Sequence, residues 1–278
     1  MAARAQPPSA AADARGAAAA PWRVALEFAV TGDVRFLSHH DELRMLERAL
    51  VRAGWPLAYS QGFNPRPRVI VPLPRSVGTA ANGQLALVDL RAAGAPEELS
   101  ASLAAALPAD YRLVRVAALA SRRVPRAQTA CYEVELDAAE VDGLAPRIEG
   151  LLARPTLVVP RAYGPGRAPR PIDIRPYIEQ LQLDGCRLRI VLHCGAQRTA
   201  RPSEVITELG LPAAAYNGRL RRSEVHWDIE LFGPDTGPAA RERNCFDNQE
   251  TCSKEVCREE DHAATDKEIC RGTGRGAR

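Results

Sequence analysis

Along its first hundred residues the chain alternates between two hydrophobic periods. Trp22 to Val30 (WRVALEFAV) repeats every second residue, the pattern of a strand. Leu43, Leu46, Leu50 and Ala53 then recur at helical spacing, so an amphipathic helix is expected after Ser38. Ser38 is a good N-cap, and Asp41 three residues on gives capping-box spacing with Asp in place of Glu. Gly54 stops the helix and Pro56 prevents its return. Pro56 to Ser60, Val69 to Leu73, Gln84 to Leu90 and Tyr111 to Leu119 read as extended, with Gly78 and Gly83 in a turn region. Glu97 to Leu107, preceded by Pro96, reads as a second helix. The order β-α-β-β-α-β is that of a ferredoxin-like unit.

The order recurs after a basic, proline-broken stretch that begins at Ser121. Cys131 to Leu136 reads as a strand and Val141 to Ala153 as a helix, which Pro146 either kinks or starts. Thr156 to Arg161 and Asp173 to Leu181 are extended around the loop Gly164 to Pro171. Arg187 to His193 is a strong strand, Ser203 caps a helix through Leu209, and Val225 to Phe232 closes the unit. The expected fold is α+β: two tandem ferredoxin-like units, 22–120 and 131–232, with a linker over 121–130. Residues 1–21 and 233–278 are expected to be disordered, the latter as a cysteine-containing tail.

Composition narrows the function only slightly. The 278 residues are 46% hydrophobic and 26% charged, as in a soluble globular protein. Between Trp22 and Phe232 there are 27 arginines against 23 carboxylates and no lysine, an excess too slight to announce nucleic acid by itself. No apolar run approaches the roughly 20 residues that span a bilayer, and the N-terminal segment lacks a signal-peptide core. A cytoplasmic location is the default expectation.

The candidate chemistry lies between Gly32 and Arg68. Arg44, Arg48 and Arg52 form a same-sign stripe on the first helix, either a solvated face or one kept basic for an anionic partner. The loop Tyr59-Ser60-Gln61-Gly62-Phe63-Asn64-Pro65-Arg66-Pro67-Arg68 sets one aromatic ring and two guanidinium groups among prolines that stiffen it. Such a loop can stack on and pair with a nucleotide; alternatively Phe63 plugs the core and the arginines are solvated. The candidate anion- or RNA-binding residues are Ser38, His39, Arg44, Arg48, Gln61, Phe63, Asn64, Arg66, Arg68 and Arg175. His39 and His40, in the helix's first turn, offer a competing reading as proton-transfer groups in metal-independent RNA cleavage by a tandem ferredoxin-like protein. The bland alternative gives one imidazole a hydrogen bond and leaves the other in solvent. Asp173 is read as structural, and His226-Trp227 as edge packing. Arg219, Arg221 and Arg222 are read as a solvent-facing turn.

Residues 31–68, TGDVRFLSHHDELRMLERALVRAGWPLAYSQGFNPRPR, resemble the signature of a radical-SAM-associated bacterial family of unknown function. Ile172-Asp173-Ile174-Arg175-Pro176-Tyr177-Ile178 and Arg201-Pro202-Ser203-Glu204-Val205 continue the resemblance. Members stand alone or follow a radical SAM enzyme, so the resemblance implies a radical SAM protein as partner. One departure is His40, where the family more often has an apolar residue. The chain has no C-x3-C-x2-C run and no convincing S-adenosylmethionine loop, so it is not expected to be a radical SAM enzyme itself. No cofactor or metal is expected. Cys131, Cys186 and Cys194 read as small core residues. Cys245, Cys252, Cys257 and Cys270, with His262, mostly miss zinc-knuckle spacing.

Overall fold

The computed structural model describes residues 22–232 except 163, 165 and 196–198. The disordered segments and tail cysteines expected from the sequence lie outside the described residues. The architecture is mixed α+β: a large mixed sheet with few helices. Its elements are β1 (Trp22–Val30), α1 (His39–Arg52), β2 (Val69–Ile70), β3 (Ala80–Leu90), α2 (Pro96–Ala106) and β4 (Tyr111–Leu119). Then come β5 (Ala127–Glu135), α3 (Ala138–Val141), α4 (Leu144–Leu152), β6 (Val158–Arg161), β7 (Arg170–Asp173), β8 (Ile178–Asp184), β9 (Arg187–His193), α5 (Pro202–Glu208) and β10 (Arg221–Trp227).

The main sheet runs β4-β1-β3-β10-β5-β9-β8, with β2 also paired to β3; β6 and β7 form a separate hairpin. Each half places its first and third strands centrally. Every pairing in the main sheet is antiparallel except that of β3 with β10, which is parallel over Arg221–Ala80 and Arg222–Ala81. Two separate apolar clusters lie against it. Val24, Leu26, Phe28 and Val30 of β1 meet Leu46, Ala49 and Leu50 of α1 and Leu103 of α2. Val134, Ile190 and Leu192 meet Leu144, Ile148 and Leu151 of α4 and Val205 and Ile206 of α5. Burial of such side chains contributes roughly 1.5–3 kcal/mol each.

Several boundaries differ from the sequence reading. Gly143, at φ +70°, separates α3 from α4, and Pro146 falls in the first turn of α4, so it marks a start and not a kink. Asp173 to Leu181 is the end of β7, a 3-10 turn and β8. Arg201, not Ser203, holds the N-cap position of α5, its backbone N–H donating to Glu204. The closing strand begins at Arg221, four residues earlier than expected, and β5 begins at Ala127. β10 sits between β3 and β5 but pairs with β3 only at Arg221 and Arg222, so His226 and Trp227 are paired on the β5 side alone. Cys186 is exposed in the β8–β9 turn, Cys194 is half-buried, and of these three only Cys131 is in the core.

The largest departure is Arg222, which is fully buried (0%) where a solvent-facing turn is expected. Its Nη1 donates to Leu73 O at 3.0 Å and its Nη2 donates to Gln84 Oε1. Arg222→Ala would strand those acceptors and remove a buried cation from beside Glu42 and Arg75. It is expected to cost about 3–5 kcal/mol in urea denaturation, and Arg222→Lys is expected to recover only part of that. A loss below about 1 kcal/mol would show that the buried fork is not what holds this joint.

Candidate binding site

Two regions carry the residues singled out by sequence, and they root at different ends of the sheet. At one end α1 begins as expected. Ser38 Oγ accepts from Asp41 N at 3.3 Å and donates to Asp41 Oδ2 at 2.7 Å. Glu42 turns inward, 1% exposed, accepts from Tyr111 OH at 2.8 Å, and lies 3.5 Å from Arg75 Nε. Arg75 in turn donates to Arg35 O, Val34 O and Thr79 O, which fixes the turn before β3 against the segment before α1. Gly78 allows the close approach there, since a Cβ would stand 1.9 Å from Asn217 Oδ1.

The amino terminus of α1 therefore already faces two carboxylates, Asp41 and Glu42, which complement the helix dipole where an anion would sit. His39 is half-buried, and its Nδ1 has no hydrogen-bond partner among the described residues. His40 is exposed, its ring 5.8 Å from that of His39. Arg44 is exposed and pairs with Asp41 at 3.6 Å. Arg48 is exposed, and Arg52 caps α2 by donating to Ala106 O at 2.8 Å.

At the other end the chain leaves β3 and returns to it. Ala58 N donates to Asp89 O, and Asp89 N donates to Arg68 O, so residues 59–67 project from a strand position. The excursion is braced internally. Ser60 N donates to Arg66 O at 2.8 Å, Arg66 N donates to Ser60 Oγ at 3.1 Å, and Tyr59 pairs with Pro67. Gln61, Phe63, Asn64 and Arg66 are exposed and Arg68 is half-buried. Phe63 is exposed to the full extent of a free side chain (105%). It does not plug the core.

The root of this loop is tied down by residues that sequence did not single out. Asp89 accepts from Arg23 Nε at 2.7 Å and from Arg122 Nη2 at 3.1 Å, and Arg23 also donates to Arg122 O. The lone Asp in an apolar strand was the available signal. Arg23 and Asp89 are register partners near the start of β1, whereas Tyr111, beneath α1, pairs with Val30 at its end. Seven residues of strand, roughly 23 Å at 3.3 Å each, separate those levels. The structure thus groups Gln61, Phe63, Asn64, Arg66 and Arg68. It sets Ser38 and His39 at the far end, with Arg44 and Arg48 along α1 from there. Arg175 belongs to neither. Its Nε and Nη2 donate to Leu152 O and its Nη1 to Ile178 O, which closes the carboxyl end of α4. Asp173 Oδ1 accepts from Leu157 N and Arg175 N, a structural role.

Residues 23–202 match the model of a bacterial family described as "uncharacterized protein conserved in bacteria (DUF2344)". The chain belongs to that family. The DUF2344 match includes α1, the 59–67 excursion and Arg175, and ends before β10. The family description carries no link to radical SAM chemistry. A search of curated proteins finds no match. Among the described residues no helix is long and apolar enough to cross a membrane.

The polar cluster beneath α1 has a pH signature. Burial, and then the Glu42 carboxylate, hold the Tyr111 phenol well above its ordinary value of 10.0, and burial raises Tyr132 as well. Below pH 10 both phenols are neutral in folded and unfolded chains. Above it the unfolded chain loses protons that the folded chain keeps, so stability falls as pH rises. Tyr111→Phe is expected to cost about 1.5–3 kcal/mol at neutral pH and to flatten that alkaline fall, read as urea midpoints on either side of pH 10.

Proposed function

We propose that this DUF2344 protein is a non-catalytic accessory module that binds an RNA-containing substrate through the Gln61–Arg68 loop and serves a radical SAM enzyme. The observation that carries the RNA half is Phe63, fully exposed at the tip of a braced loop. Leaving a phenylalanine in water forgoes roughly 1.5–3 kcal/mol of burial. A base stacked on the ring recovers part of it, and a braced loop loses little entropy on binding. Gln61, Asn64 and Arg66 are exposed beside it, and no carboxylate occurs between Tyr59 and Arg68. The radical SAM half rests only on the sequence resemblance carried by residues 31–68, 172–178 and 201–205. The same reading takes the two sheet halves as ferredoxin-like units in tandem, since both place their strands in the order fourth, first, third, second.

Binding of a short single-stranded RNA to the full chain, followed by fluorescence anisotropy at several salt concentrations, tests this. Phe63→Ala is expected to weaken affinity by about 1–3 kcal/mol while leaving stability within about 0.5 kcal/mol of the parent. Arg66→Gln is expected to make the log–log salt slope shallower by about 0.7. No binding by the parent, or equal affinity in Phe63→Ala, overturns the RNA half. Co-purification from the native host reads the partner: a radical SAM protein without RNA would assign the loop to protein docking. Cleavage of RNA in chelator, lost in His39→Ala or His40→Ala, would replace this reading by the nuclease one.

A further inference from the structure

The sheet face away from α4 holds a cluster independent of the loop. Cys131 points opposite to Tyr132 and Val134, which pack with the helices. Glu224 on β10 is its direct register partner, and His226 lies two residues further along, on the same face. One donor atom from each, Sγ, a carboxylate oxygen and an imidazole nitrogen, lie within 4.8 Å of one another. His226 Nε2 and Glu224 Oε1 are 3.5 Å apart. A tetrahedral ion with bonds of about 2.0–2.3 Å sets its donors about 3.3–3.8 Å apart, so small side-chain rotations close the set. The thiol is fixed and buried, 2% exposed, while the two other donors are exposed and free to turn.

We propose that Cys131, Glu224 and His226 bind a divalent transition-metal ion of zinc-like preference, with a fourth position left to solvent. One thiolate, one imidazole and one carboxylate form a borderline-soft donor set, which suits zinc or cobalt and disfavours magnesium or calcium. Arg189 on β9 already places a cation there, its Nη2 3.8 Å from Sγ. Arg189 is exposed and can swing away as an ion enters, while the Sγ proton passes to solvent. On the far side of Thr129, His193 occupies the same row as His226, bringing a second imidazole to the rim. Two of the three donors lie on β10, outside residues 23–202 that the family model matches.

The test uses the reduced, metal-free full chain with Cys245, Cys252, Cys257 and Cys270 changed to Ser, which silences thiols outside the described residues. Cobalt(II) titration is expected to give a thiolate-to-cobalt charge-transfer band that zinc displaces and magnesium does not. Cys131→Ser is expected to abolish the band. His226→Ala, at an exposed position that does not threaten folding, is expected to weaken cobalt binding by at least about tenfold. Absence of the band, its survival in Cys131→Ser, or unchanged affinity in His226→Ala overturns the proposal.

Discussion

A buried guanidinium is the constraint on which this structure depends. β3 and β10 share only two register pairs, yet that parallel contact joins the two halves of the sheet. Arg222 secures it from inside, donating to Leu73 O and Gln84 Oε1 with the charge of Glu42 nearby. A buried cation needs such partners, because desolvation costs several kcal/mol if they are removed. Glu42 draws in Tyr111 and Arg75, and Arg75 fixes the segment that leads into α1. The first turn of α1 is thereby part of the scaffold.

This changes the meaning of an arginine-rich composition. Arg75 and Arg175 direct their forks at backbone carbonyls, Arg222 at the Leu73 carbonyl and the Gln84 side-chain amide, Arg23 at the buried Asp89 carboxylate and Arg161 at the half-buried Glu204. A planar fork of donors suits these tasks as well as it suits phosphate. Arg44, Arg48 and Arg66 remain at the surface, and only Arg66 shares a braced loop with an exposed aromatic ring. The charge count alone thus overstates the cationic surface.

Local signals were legible in the sequence. The Ser38 cap, the apolar stripe of α1 and the strands β1, β4 and β9 follow from short-range periodicity and appear at or near their expected bounds. The joint was not legible, because Arg222 meets Gln84 across 138 residues and an Arg-rich run looks solvated when read locally. The same limit hid the brace of Asp89 by Arg23 and Arg122, and the meeting of Cys131 with Glu224 and His226 across β5 and β10. Arg175 was singled out by its motif, but two of its donors close α4 and the third bonds Ile178 O. For Phe63, sequence left two environments open, and burial is decided by where the chain around it packs.

The central claim is that a rigid loop presents Phe63 to a nucleic acid base. Photo-crosslinking of 4-thiouridine-substituted single-stranded RNA to the full chain, with the modified peptide mapped by mass spectrometry, tests it most directly. The account predicts that the main adduct falls within Ser60–Arg68, on Phe63 itself, and is competed away by unmodified RNA. Adducts confined to the α1 amino terminus or to the second half of the sheet would contradict it, as would the absence of any competed adduct.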